Sequence, residues 1–156
     1  MLPYSATAIQ EWERATSCKR ECIIARNQGM VLLIGCDNSS LVIDKLCDDA
    51  GEGPGDAAVM CFYFDFAARK EQSPVNMLGS LLRQLVSGLG EIPEAVVQDF
   101  QKQRKGIGGR GLQVSEILKM FQTITATKRA FICVDALDEC VPEHRMVVLE
   151  SLQQIL

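Results

Sequence analysis

The segment Val134-Asp135-Ala136-Leu137-Asp138-Glu139 places three acids within five positions, directly after the apolar run Ala130-Phe131-Ile132-Cys133. An apolar run of this kind reads as a strand buried on both faces, as in a parallel sheet. Ligands of such sheets bind at the carboxyl ends of the strands. An acid standing there can hold Mg²⁺ directly or through water, and a second acid nearby can orient or deprotonate an attacking water. Asp135 is then the candidate magnesium residue, Asp138 its neighbour in the magnesium shell, and Glu139 the candidate general base. The same residues have a plain structural account. Asp135 can simply end a strand, and Asp138-Glu139 can open a helix whose positive dipole end favours acids. Spacing alone leaves both accounts open.

Magnesium-dependent phosphoryl transfer also needs a grip on the phosphates. A phosphate loop uses glycines for close backbone approach, a lysine on the β- and γ-phosphates and a Ser/Thr hydroxyl on the metal, in the pattern G-x-x-x-x-G-K-[ST]. After the apolar run Met30-Val31-Leu32-Leu33-Ile34, the chain reads Gly35-Cys36-Asp37-Asn38-Ser39-Ser40-Leu41-Val42. Counting from Gly35, Ser40 falls on the second glycine, Leu41 on the lysine and Val42 on the hydroxyl. Lys45 lies more than a turn farther on, and Asp37 puts a negative charge where phosphates would sit. Gly35 would then be the first glycine of such a loop, with the lysine missing. Two other glycine clusters do not replace it. Gly106 to Gly111 formally matches G-x-G-x-x-G but follows a helical pattern rather than a strand, and it reads as part of a basic linker from Lys102 to Gly111. Gly51 to Gly55 leads into a strand and carries the acids Glu52, within it, and Asp56, directly after it.

The elements that must position these residues follow from periodicity. Three apolar runs, at 30–35, 58–66 and 130–135, read as strands. Residues 6–27 read as a polar amphipathic helix, part of an N-terminal helical segment 1–29 preceding a core at 30–156. Ser39 or Ser40 caps a helix carrying Leu41, Val42, Ile43 and Leu46. Ser73-Pro74 starts a helix with Met77, Leu78, Leu81, Leu82, Leu85 and Val86 on one face. Pro93 opens another through Val96, Val97 and Phe100, and a further one carries Val114, Ile117, Leu118, Phe121 and Ile124. Pro142 opens the last, with Val147, Val148, Leu149, Leu152, Ile155 and Leu156. Strands alternating with helices predict an α/β fold with about three mutually parallel strands flanked by helices.

Composition narrows the partners. The 156 residues are 47% hydrophobic and 23% charged, which suits one globular domain. A net charge of −4 argues against nucleic acid, whose phosphates demand a basic surface. No apolar run approaches the roughly 20 residues that span a bilayer, and the N-terminus has no signal-peptide pattern. Seven cysteines, an odd number partly in apolar runs, read as reduced thiols in a cytoplasmic protein rather than a disulfide framework. With one histidine and no CxxC pair, a structural zinc site is not expected.

The acidic segment has the Walker B pattern with an acidic extension, and the wider sequence resembles the fungal NACHT-type NTPases, also described as the nephrocystin-3-like N-terminal domain. The matching stretches are FYFDF at 62–66, QSPVNMLGSLLRQLVSGL at 72–89, EIPEAVVQ at 91–98 and FICVDALDEC at 131–140. Ser40 to Leu46 resembles the helix that follows the phosphate loop in that family. The resemblance implies part of a three-layer P-loop NTPase core, Mg-ATP or Mg-GTP as the family's cofactor, and a signalling role. It also implies repeats such as ankyrin, WD40 or tetratricopeptide units on the C-terminal side. In P-loop proteins with this acidic extension a further strand lies between the first and third. This chain ends before it, so either a gap or direct pairing of those two strands is expected. Uncovered sheet edges or helix faces would then meet protein partners. Two readings remain. One is a degenerate nucleotide-binding domain without NTP hydrolysis, serving as an interaction module. The other is a working ATP- or GTP-binding NTPase whose Walker A segment is lost through an incorrect gene model. The first is preferred for the chain as it stands.

Overall fold

The computed structural model describes residues 23–27, 30–35, 43, 57–104 and 111–156. Three of its strands, β2 (Met30–Ile34), β3 (Ala57–Tyr63) and β4 (Arg129–Asp135), form a parallel sheet in the order β2-β4-β3. This is the α/β arrangement that the three apolar runs predict. β2 and β4 pair directly, with Met30 opposite Ala130 and Ile34 opposite Val134, so direct pairing rather than a gap is what occurs. β3 flanks β4 on the other side, from Ala57 opposite Arg129 to Tyr63 opposite Asp135.

A fourth strand, β1 (Ile23–Asn27), pairs antiparallel with β2. It corrects the expectation of a helix through residue 27. Asn27 lies opposite Met30, so two residues separate the paired ends, the length that favours a hairpin. The rest of the expected N-terminal helix lies outside the described residues, as does most of the helix expected after Ser40, of which Ile43 alone is described, in helical conformation.

Alternation along the strands sends two sets of side chains to opposite faces. Met30, Leu32, Ile34, Ala58, Met60, Ala130, Ile132 and Val134 enter one core cluster with the helices. Leu33 and Cys133 are buried too, but on the opposite face and outside that cluster. The described helices therefore supply one layer of the three expected.

Helix α1 (Pro74–Ser87) starts as its sequence dictates. The Ser73 hydroxyl accepts the Asn76 amide at 3.2 Å, and Pro74 occupies the first turn, where its missing N–H is not needed. Met77, Leu78, Leu81, Leu82 and Leu85 recur at helical spacing and are buried. Helix α2 (Glu94–Arg104) buries Val96 but leaves Val97 and Phe100 exposed. It also takes in residues 102–104, which the sequence assigned to the basic linker. Residues 105–110 of that linker lie outside the described residues. Helix α3 (Val114–Thr125) is fixed at its start by the Glu116 carboxylate, which accepts the Gln113 amide at 2.8 Å. It buries Ile117, Leu118, Met120, Phe121 and Ile124. Helix α4 (Pro142–Ile155) packs Val148, Leu149, Leu152 and Ile155 inward. Buried Ser151 donates to the Val147 carbonyl at 2.6 Å, so its hydroxyl is satisfied.

Candidate functional site at the carboxyl end of the parallel strands

β2 and β4 deliver Gly35 and Asp135 to the same end of the sheet. The pairing runs one step past β2, where the Gly35 amide donates to the Val134 carbonyl at 3.0 Å. Gly35 then turns out of the sheet with a φ of 70°, a conformation that glycine adopts without a Cβ clash. β3 stays in step on the other side, the Phe64 amide donating to the Asp135 carbonyl at 3.1 Å.

Asp135 is half-buried, and its Oδ1 accepts the amide of Ala136 at 2.7 Å. Ala136 has a φ of 52°, in the left-handed region. This bend turns the chain sharply off β4, drops Leu137 into the core at 3% exposure and presents Asp138 to solvent. Leu137–Glu139 forms a single 3-10 turn, and α4 begins only at Pro142. The acids thus occupy a turn of their own rather than opening the helix.

Glu139 faces the neighbouring strand's exit. Its Oε2 accepts the Phe66 amide at 2.8 Å, across 73 positions of sequence. Phe66–Ala68 is a second 3-10 turn, capped by Asp65, whose Oδ1 accepts the Ala67 amide at 2.8 Å. The strand expected to run to residue 66 therefore ends at Tyr63, because Asp65 diverts the backbone into this turn. Arg69 lies 3.9 Å from the centroid of the Phe66 ring, and its Nε donates to the Glu139 carbonyl at 3.4 Å. Arg145, in the first turns of α4, donates from Nη2 to the Asp138 carbonyl at 2.8 Å and the Cys140 carbonyl at 3.1 Å. Two arginines thus hold the acidic turn by its backbone oxygens. Burial pushes the Cys140 thiol up from its ordinary value, against the opposing pull of Arg145 and Arg69.

Of the residues singled out in the sequence, Gly35 and Asp135 come together on adjacent strands. Asp138 and Glu139 follow in the turn, with one Glu139 oxygen committed to Phe66. Among the described residues no group of three or more His, Cys, Asp or Glu side chains is placed to hold a metal ion. Arg69, Phe66 and Arg145 escaped the sequence reading. Nothing in their spacing signals that they meet the acidic turn.

A family model described as Nephrocystin 3, N-terminal, matches residues 38–156. The chain belongs to the nephrocystin 3 N-terminal family. The match covers β3, β4, the acidic turn and every described helix, and it starts three residues after Gly35. No curated protein and no solved structure matches the chain. No described helix is long and apolar enough to cross a membrane.

Proposed function

We propose that this member of the nephrocystin 3 N-terminal family is a degenerate nucleotide-binding domain that does not hydrolyse NTP and acts as an interaction module of a signalling NTPase. The observation that carries the reading is an asymmetry at the carboxyl end of the sheet. Asp135 ends β4 beside Gly35 on the adjacent strand, which suits a magnesium acid, yet the residues after Gly35 contain no Gly-Lys-Ser/Thr. The donor set fits only half of a Mg-nucleotide. Asp135, with Asp138 nearby, could share a magnesium ion that water and phosphate also ligate. Glu139 spends one carboxylate oxygen on Phe66, so only its other oxygen is left to serve as a base.

The missing half matters more. Phosphoryl transfer is catalysed by positioning and charge stabilisation, and the loop supplies most of both. Loss of the lysine removes a charge-assisted contact of roughly 1.5–3 kcal/mol. Loss of the glycines obstructs the backbone amides, and Asp37 repels phosphate. Together these lower affinity by about a hundredfold or more from an intact site, at about 1.4 kcal/mol per decade.

A phosphate-release assay on the wild type and Asp135→Ala tests the proposal. The expected result is no release above buffer from either. Turnover that Asp135→Ala abolishes would sink it. The second reading, a working NTPase with its Walker A segment lost through an incorrect gene model, draws support from where the family match begins, at residue 38, after Gly35 and within the segment that departs from the phosphate-loop pattern. An in-frame segment encoding Gly-Lys-Ser/Thr near Gly35 in the transcript would favour it.

A further inference from the structure

β3 is the last strand on its side of the sheet among the described residues. An edge strand exposes a row of unpaired peptide groups that can template another strand. The β3 edge is interrupted at its middle. The Cys61 amide donates to Gln84 Oε1 at 2.8 Å, and Gln84 Nε2 donates to the Cys61 carbonyl at 2.9 Å. Both polar groups of one strand residue are thus taken by a single carboxamide, in the donor–acceptor pattern that a neighbouring strand would offer. The Phe64 amide, three residues on, bonds inward to β4. Peptide groups alternate sides along a strand, so Cys61 faces outward, and Val59 and Tyr63 face the same way.

Gln84 is held in place by the core. It lies on α1 between Leu81 at 0% exposure and Leu85 at 0%, so the helix cannot shift without opening the interior. The side chain also has the right chemistry. Glutamate could accept from the amide but not donate to the carbonyl, lysine could only donate, and asparagine is one methylene shorter.

We propose that Gln84 is an edge lock, which stops the parallel sheet from continuing into a strand of a second copy of this chain. The inference is independent of nucleotide binding.

The test uses the full chain. Gln84→Met keeps the length and bulk of the side chain but removes both hydrogen bonds, and Gln84→Glu keeps only the acceptor. Sedimentation velocity over a concentration series should show both variants self-associating at about tenfold lower concentration than the wild type, the scale set by two hydrogen bonds made available to a partner. Adding Val59→Lys, a charge on the same edge, should reverse the shift. In the wild type, amide exchange at Cys61 should be slower than at Val59. An unchanged association midpoint in folded Gln84→Met would overturn the proposal, as would Cys61 exchanging as fast as Val59. Failure of both variants to fold would also overturn it, by making Gln84 a residue of the core rather than of the edge.

Discussion

Ala136 is the only described non-glycine residue with positive φ, and it sits between the magnesium candidate and the acidic turn. An L-residue in this region costs about 1 kcal/mol or more against glycine. Ala136→Gly should therefore raise stability by up to about 1 kcal/mol, reduced by the freedom glycine adds to the unfolded chain. Urea denaturation reads this directly, and a lower midpoint would contradict the strain account. Glu139 ties the turn after β4 to the turn after β3 through the Phe66 amide. Glu139→Ala should lower stability by about 1 kcal/mol, and Glu139→Gln by less, because its amide oxygen can still accept from Phe66. Equal stability of Glu139→Ala and the wild type would contradict this tie.

The raised thiol of Cys140 makes a signed prediction. The folded state favours the neutral form, so this contribution is intact below the ordinary thiol value and lost as pH climbs from there through the raised folded value. Stability should fall on the alkaline side, and part of that slope should vanish in Cys140→Ala. A slope unchanged by the substitution would show that another group causes it.

The elements differ in how plainly the sequence announces them. α1 was legible down to its cap, because Ser73-Pro74 and five leucines and methionines at helical spacing all point to one structure. Leu81 is fully buried there, so Leu81→Ala should cost about 2–5 kcal/mol by cavity formation, measured as a shifted urea midpoint at unchanged m-value. The three parallel strands were legible because burial on both faces demands continuous apolar runs. β1 was not. Its five residues fall inside a longer stretch that can be threaded onto a helical wheel, and pairing with β2, a tertiary effect, overrides that local pattern. The end of β3 was overrun because Phe64 and Phe66 prolong the apolar run, while the turn depends on Asp65 capping the backbone. At the site, Asp135 was visible as an acid ending a buried strand. The link from Glu139 to Phe66 joins residues 73 positions apart and leaves no periodic trace.

At the scale of the molecule, the carboxyl end of the parallel sheet carries Asp135, Asp138 and Glu139, and the residues that follow Gly35 contain no Gly-Lys-Ser/Thr. The acidic turn is tied down from two sides, by Arg69 after β3 and by Arg145 from α4. The turn has a structural role whether or not nucleotide binds. The account therefore stands or falls on affinity rather than on structure. Calorimetric titration of the full chain with Mg-ATP and with Mg-GTP tests it most directly. The account predicts heats no larger than dilution at micromolar nucleotide, and saturation by either nucleotide in the micromolar range, weakened by Asp135→Ala, would contradict it.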